Sequence, residues 1–398
     1  MGLQGASSEP VVVETPQGRL RGSREAGVVA FKGIPYAAPP FGGRRLRAPE
    51  PADRWDGVRD ATSFGPTAPN TGYPPPFDKL FAEPVIEGED CLSVNVWTPD
   101  PGAGGLPVMV WIHGGAFRNG TSAAPIYDGA AFARDGVVLV SLNYRLGVDG
   151  FLFLEGTEPN RGLLDQVAAL QWVQANIAAF GGDPGNVTVF GESAGAMSVC
   201  ALLTMPRARG LFRRAIAQSG GGHHGLAPED ARRVTEAIAE RLGVPATREG
   251  IASADLAGLR EAQAALSLEV TMNPDPARWG RLALDVMPFE PVIDGDVLPV
   301  LPIEAVAGGA GAEVPILTGT TSEEWRLFVV PPGLIGFLND EHVARLLSAY
   351  GATEAVAAAY AGANGTPGDR LCAIATDWFL RIPAIRLAEA RAGGPAPT

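Results

Sequence analysis

The chain has 398 residues, of which 46% are apolar and 19% are charged, and its formal net charge is −13. This composition predicts a large hydrophobic core and excludes a globally disordered chain. The acidic balance argues against a nucleic-acid partner, because phosphates select basic surfaces. No apolar run reaches the length of a membrane span, and residues 1–7 lack the apolar stretch of a secretory signal. We therefore expect a cytoplasmic protein with no membrane partner, or a secreted one whose leader has been removed.

The first ninety residues predict a hairpin followed by a long irregular segment. Residues 11–14 and 19–21 flank a Pro-Gln-Gly turn, as the strands of a small hairpin do. Residues 65–88 are rich in proline and glycine and include Tyr73, Phe77 and Phe81. A segment of this kind is typical of either a lid over a site or a disordered loop. Its aromatic side chains favour the lid.

Strands alternate with helices over the rest of the chain. The patterns predict strands at residues 91–97, 108–112, 137–142, 187–190, 214–217 and 314–318, and helices at residues 130–134, 163–180, 196–203 and 230–242. With no repeat and no linker, this alternation predicts a doubly wound α/β sheet in a single domain over residues 1–398. Cys91, Cys200 and Cys372 show neither a C-x-x-C unit nor zinc-ligand spacing, so we expect three buried thiols.

Residues 191–195, with the sequence GESAG, are the most informative stretch of the chain. They lie between a predicted buried strand and a predicted apolar helix. A strand that turns sharply into a helix strains its middle residue, and a Cβ at either flanking glycine would clash. The pattern predicts that Ser193 is a nucleophile held above the carboxyl edge of a parallel sheet. The alternative is a glycine-rich turn with an ordinary serine, and the strand–helix context favours the nucleophile.

A serine nucleophile needs a base, an orienting carboxylate and fixed N–H donors for the oxyanion. Residues 113–117, with the sequence HGGAF, follow a strand directly. Their small side chains allow the backbone to approach a substrate and point N–H groups at it. Together with the Ala194 N–H they would form an oxyanion hole; the alternative is a plain glycine turn.

These motifs resemble the type-B carboxylesterase family, the α/β-hydrolases that include the cholinesterases. The matching stretches are residues 31–37, 89–96, 113–117, 143–147, 162–166, 176–195 and 291–295. The resemblance implies a mostly parallel sheet with helices on both faces, and hydrolysis of small-molecule carboxylic esters through an acyl-enzyme on Ser193. It implies that the Gly115 and Ala116 amides face the oxyanion, with alanine standing where glycine is commoner. It implies no metal and no cofactor.

The resemblance also suggests the acid of a triad. The family carries its acid in a Gly-x-x-x-Asp-Glu-Gly stretch after a strand, and residues 319–325 (GTTSEEW) occupy that place. Counting from Gly319 assigns the acid to Glu324 and puts Glu323 in the Asp position, with Trp325 replacing the final glycine. Without the resemblance, two adjacent glutamates are typical of a solvated turn.

The base is missing from the predicted triad. Of the four histidines, only His342 follows Glu324, and its surroundings predict a surface position on a helix. The family section that carries the base would begin beyond Ala390, so the resemblance predicts a chain that lacks its C-terminal section. His223 and His224 follow a strand end and are expected near Ser193 as substrate contacts, but the sequence positions no carboxylate to orient either as a base.

Two further substrate contacts, Phe117 and Trp325, are expected beside the oxyanion loop and the acid. The missing base leaves a second hypothesis open. The fold could serve only for binding, as in the adhesion relatives of the cholinesterases, or the chain could be an inactive fragment. The intact GESAG stretch favours the enzyme. The sequence determines neither the acyl and alcohol preference nor the oligomeric state.

Overall fold

The structure is a computed structural model that describes residues 9–361 and 365–398. Its strands are β1 (Glu9–Thr15), β2 (Gly18–Glu25), β3 (Val28–Pro35), β4 (Val58–Asp60), β5 (Ser93–Thr98), β6 (Leu106–Ile112), β7 (Val138–Leu142), β8 (Gly182–Glu192), β9 (Arg214–Gln218) and β10 (Ile316–Gly319). Its α-helices are α1 (Ala130–Arg134), α2 (Gly147–Phe151), α3 (Arg161–Asn176), α4 (Ala194–Thr204), α5 (Pro228–Leu242), α6 (Arg248–Ser253), α7 (Leu256–Met272), α8 (Pro276–Trp279), α9 (Leu282–Asp285), α10 (Pro302–Ala307), α11 (Arg326–Val329), α12 (Asp340–Ala349), α13 (Glu354–Ala361), α14 (Pro367–Thr376) and α15 (Ile382–Ala390).

Within these residues the ten strands form one mixed sheet, in the order β1-β2-β3-β5-β7-β6-β8-β9-β10, with β4 paired to β2. The neighbours from β7 to β10 run parallel, whereas β1, β2, β3, β5 and β7 pair antiparallel. From β6 the chain passes to β7 on one side and later to β8 on the other. The strand order therefore reverses at β6, and ligands in such sheets bind outside the carboxyl ends at this point.

Side-chain alternation along the central strands builds a core on each face of the sheet. On β6, Val108, Val110 and Ile112 belong to the larger core, whereas Met109 and Trp111 pack on the opposite face. Helices α3 and α4 cover the larger core, and α1 covers the smaller one. The doubly wound α/β architecture with helices on both faces is thus confirmed.

Most predicted elements are present, with shifted ends. The hairpin is β1–β2, and the helix predicted over residues 163–180 is α3 followed by a 3₁₀ turn over Ile177–Phe180. Strand β3 was not predicted, because its pairing with β5 is interrupted between Phe31 and Ile34. Gly33 lies in this irregularity with a φ of +66°, so the alternation of buried and exposed side chains is lost there.

Residues 65–88 fold on themselves with one short 3₁₀ helix, Phe77–Lys79. The Thr67 N–H donates to the Ile86 carbonyl at 2.9 Å, which joins the two ends of the segment. The Tyr73 and Phe81 rings pack with their centroids 4.9 Å apart. These contacts support an ordered segment over a disordered loop.

The three cysteines are free and buried, as predicted. Among the described helices, none combines the length and the apolar character needed to cross a bilayer.

Candidate functional site

Four neighbouring strands end at one edge of the sheet. Ile112 of β6 pairs with Gly191 of β8. Gln218 of β9 pairs with Gly319 of β10. The segments that follow these strands therefore leave the sheet side by side, and they are residues 113–117, 193–195, 219–220 and 320–324.

Ser193 is held in a strained turn between β8 and α4. Its φ is 54° and its ψ is −122°, a conformation that a residue with a side chain rarely adopts. A Cβ at Gly191 would lie 2.6 Å from the Gly195 carbonyl carbon, and a Cβ at Gly195 would lie 2.1 Å from the Ile112 oxygen. The Ser193 N–H donates to the Gln218 carbonyl at 2.9 Å. The strand–turn–helix geometry predicted for GESAG is present.

The HGGAF loop lies directly against this turn. A Cβ at Gly114 would be 3.2 Å from the Ser193 Cβ. Gly115, Ala116 and Phe117 have φ values of 113°, 53° and 58°, so three consecutive residues depart from ordinary backbone conformations. Strain of this kind concentrates at functional sites because the surrounding structure must enforce it.

Glu324 is attached to the same edge by two hydrogen bonds. Its Oε1 accepts from the Ser219 hydroxyl at 2.6 Å and from the Thr321 N–H at 2.7 Å. Glu323 instead faces solvent and pairs with Arg326 at 2.8 Å. The structure therefore separates the two adjacent glutamates, and the half-buried one is Glu324. Ser219 was missed by sequence analysis, since 105 residues separate it from Glu324.

Glu192 is a second carboxylate at this edge that the sequence analysis did not single out. Glu192 is exposed to solvent, and its Oε2 approaches the HGGAF loop, 3.0 Å from where a Cβ at Gly114 would lie. Loss of hydration raises the pKa of Glu192 to about 7, and the negative charge of Glu324 contributes to the increase. Its position between a strand end and Ser193 is visible in the sequence, but its environment is not.

Two of the four histidines, His113 and His342, make contacts that stabilise the fold. His113 is buried, its Nδ1 lies 2.9 Å from the Gly114 carbonyl, and its ring stacks on Tyr144. Burial lowers the pKa of His113 to about 4, so the ring is neutral. His342 is exposed at the start of α12, where it forms a capping box with Asn339. The predicted surface position of His342 is confirmed.

His223 and His224 differ in their surroundings. His224 is buried, with Nδ1 3.0 Å from Glu290 Oε1 and Nε2 3.0 Å from the Phe379 carbonyl. Glu290 reaches His224 from 66 residues away, so this carboxylate partner was not visible in the sequence around the histidine. His223 is half-buried, and burial lowers its pKa to about 4. Within the described chain no histidine hydrogen-bonds to Glu324.

Phe117 and Trp325 lie in different settings. Phe117 has no accessible surface and packs edge-on against Phe151, with ring centroids 5.0 Å apart. It belongs to the core, contrary to the expected substrate contact. Trp325 is half-buried, and its backbone N–H donates to Thr376 Oγ1 at 3.0 Å. Substrate contacts by Trp325, His223 and His224 remain predictions.

A strained serine at the carboxyl edge of a doubly wound sheet, beside a glycine loop, defines an α/β-hydrolase. The sequence model of the Carboxylesterase family matches residues 9–397. The chain belongs to this family, as the motifs predicted.

Similar proteins include several esterases. Over 335 residues the chain is 44% identical to para-nitrobenzyl esterase of Bacillus subtilis, a match that covers 80% of this chain and 64% of that protein. It is 38% identical to cholinesterase of Mus musculus, over 84% of this chain and 57% of the relative. The chain thus spans less than two thirds of the length of these curated relatives. The crystal structure of a Geobacillus stearothermophilus carboxylesterase superposes with a TM-score of 0.83 at 41% identity, covering 97% of this chain and 78% of that one.

Proposed function

We propose that this protein is a serine hydrolase that acts on small-molecule carboxylic esters. The observation that carries the proposal is the strained Ser193 backbone beside the HGGAF loop, where a Cβ added at Gly114 would lie 3.2 Å from the Ser193 Cβ. Family membership and the esterase relatives support the same conclusion. Residues 1–398 would act as a single catalytic domain, with residues 65–88 as its lid.

In this mechanism the Ser193 hydroxyl attacks the ester carbonyl carbon. The amides of Gly115, Ala116 and Ala194 hold the oxyanion of the tetrahedral intermediate. Loss of the alcohol leaves an acyl-enzyme on Ser193, which water then hydrolyses. The donors are backbone groups of a close-packed loop, so their orientation does not have to be organised anew at each turnover.

Proton transfer requires a base in addition to these groups. Glu324 is the acid that would orient an imidazole at Ser193. None of the four histidines in the described chain occupies that place. Oxyanion binding and substrate positioning alone give roughly 10³–10⁴-fold over water in serine proteases, so we expect weak hydrolysis from these groups without a base.

Two assays test the nucleophile separately from complete turnover. A fluorophosphonate probe should label the wild-type protein, and peptide mass spectrometry should locate the adduct on Ser193. Ser193→Ala should lower the rate of p-nitrophenyl acetate hydrolysis. In a protein with a complete triad the decrease would be about 10⁴–10⁶-fold. Ser348→Ala, on the exposed face of α12, is the matched control and should change neither assay.

Equal labelling and equal hydrolysis in Ser193→Ala and wild type would reject the nucleophile. Absence of both Ser193 labelling and ester turnover in the wild-type protein would instead favour the binding hypothesis, with an esterase fold whose serine is not activated.

A further inference from the structure

The segment 65–88 contacts the turn beside the HGGAF loop, here called the oxyanion loop, through the half-buried carboxylate of Glu83. Glu83 Oε1 accepts a hydrogen bond from the Gly120 N–H. Thr71, in the same segment, donates its hydroxyl to Asn119 Oδ1 at 2.8 Å. Both contacts reach the two-residue turn that follows the HGGAF loop. The segment is therefore joined to that turn at two adjacent positions.

The turn at residues 119–120 packs directly behind the glycines of the oxyanion loop. The Asn119 N–H donates to the Gly115 carbonyl at 2.9 Å. A Cβ at Gly115 would lie 2.2 Å from the Asn119 oxygen, and a Cβ at Gly120 would lie 2.5 Å from the Gly114 oxygen. Backbone packed this closely leaves no space for independent movement. A shift of the turn would therefore move the amides at positions 114–116.

The Glu83 carboxylate has no other evident role in the fold. Burial raises the pKa of Glu83, and the Gly120 N–H opposes this increase by stabilising the charged form. Its second oxygen, Oε2, is buried and has no hydrogen-bond partner among the described residues. Burial of a carboxylate is unfavourable unless hydrogen bonds compensate for the lost hydration. The bond to Gly120 provides that compensation, and it lies beside the oxyanion loop.

We propose that Glu83 is a positioning residue that fixes the oxyanion loop by holding the Gly120 amide. This role rests on the proposed hydrolase function, because it assigns the amides of Gly115 and Ala116 to the oxyanion. Glu83 acts through Gly120 and touches no reacting atom. Through this contact the segment 65–88 controls the geometry of the donors.

Three variants, with a fourth in reserve, distinguish the hydrogen bond from general packing. Glu83→Gln keeps an acceptor for the Gly120 N–H, whereas Glu83→Leu removes it at similar volume. Glu87→Leu changes an exposed glutamate of the same segment and is the matched control. Glu83→Asp keeps the charge but shortens the side chain by one methylene, and it replaces Glu83→Leu if that variant does not fold.

The first measurement is hydrogen–deuterium exchange of peptides covering residues 113–121, made without substrate. In Glu83→Leu we expect exchange at Gly120 to rise about tenfold or more, because a hydrogen bond to a charged group is lost. Exchange in Glu83→Gln should stay within about threefold of wild type, since the acceptor is kept. The Glu87→Leu control should match wild type.

The second measurement is ester turnover by the same proteins. Oxyanion donors act in the transition state, so Glu83→Leu should lower kcat about tenfold and leave KM unchanged, with most of kcat restored in Glu83→Gln. Unchanged exchange in Glu83→Leu would overturn the proposal, as would equal increases in Glu83→Leu and Glu83→Gln. A raised KM with unchanged kcat would also overturn it, in favour of a substrate contact. The exchange result does not depend on turnover, so it stands even if the hydrolase proposal fails.

Discussion

The two halves of the site are built in different ways. One half, which we call the elbow side, comprises residues 113–120 and 191–195. It is held by close packing of neighbouring backbone, where glycines leave no room for a Cβ and several residues have positive φ. The other half, which we call the acid side, comprises Ser219 and residues 319–325. It is held by side-chain hydrogen bonds, one of which joins distant parts of the chain. The elbow side has the strained strand–turn–helix geometry, whereas on the acid side no histidine of the described residues hydrogen-bonds to Glu324. This comparison indicates that the proposed nucleophile and oxyanion donors are locally encoded, and that the position of the proposed acid depends on tertiary assembly.

The largest expected effect lies on the acid side. Glu324→Gln should lower ester turnover far more than Glu323→Gln, by up to about 10⁴-fold where a histidine completes the triad. The reason is that an amide cannot hold the imidazole tautomer that a carboxylate holds. Ester hydrolysis rates of the two variants give the comparison. The reverse ranking would move the acid to Glu323, and two equal, small effects would show that this chain does not assemble a triad.

On the elbow side, Gly195→Ala should destabilise the fold by about 3 kcal/mol, because its Cβ would lie 2.1 Å from the Ile112 oxygen. Urea unfolding followed by tryptophan fluorescence gives the free energy of unfolding. Gly43→Ala is the control, since a Cβ there meets no atom within 4 Å, and it should change stability by less than about 0.5 kcal/mol. Equal stabilities of the two variants would contradict the close packing of the elbow side.

The substrate preference should follow the shape of the elbow side. Residues 113–117 include two glycines, and the first bulky hydrophobic side chain, Phe117, is buried away from the site. We therefore expect branched and aryl esters to be hydrolysed within about tenfold of straight-chain esters of the same acid. A series of alcohol groups measured by kcat/KM checks this. Reaction of straight-chain primary esters alone would mean that other residues narrow the pocket.

The smallest expected effect concerns Glu192, which lies between the two sides. The pKa of Glu192, about 7 in the folded protein, exceeds its ordinary value of 4.5. The folded protein therefore binds this proton more tightly than the unfolded chain does, so Glu192 lowers stability as pH rises from about 4.5 to about 7.

Glu192→Gln should accordingly stabilise the protein at pH 8 and have little effect at pH 4. Solvent screening of this partly accessible group limits the gain to less than about 1 kcal/mol. Denaturant unfolding at the two pH values checks the sign. A variant that is less stable than wild type at pH 8 would show that the ionised form is favoured in the folded state.

The locally determined features were predictable from the sequence. GESAG was found because its glycines lie directly between a predicted strand and a predicted helix, and HGGAF was found because its glycines follow a predicted strand directly. The doubly wound sheet could be predicted from the alternating strands and helices, because hydrophobic periodicity is a local property of the sequence. Strand β3 was missed where its pairing with β5 shifts at Gly33.

Only the tertiary structure decided which side chains meet. Ser219 reaches Glu324 across 105 residues, Glu290 reaches His224 across 66, and Glu83 reaches Gly120 across 37. Phe117 is the last residue of the HGGAF loop, yet packing places it in the core. The raised pKa of Glu192 likewise depends on burial and on the charge of Glu324. The sequence alone determined the order of the central strands along the chain and the position of the strained turn, because glycine and periodicity act over a few residues. Contacts and hydration depend on how distant segments pack, so they were set only when the sheet edge was assembled.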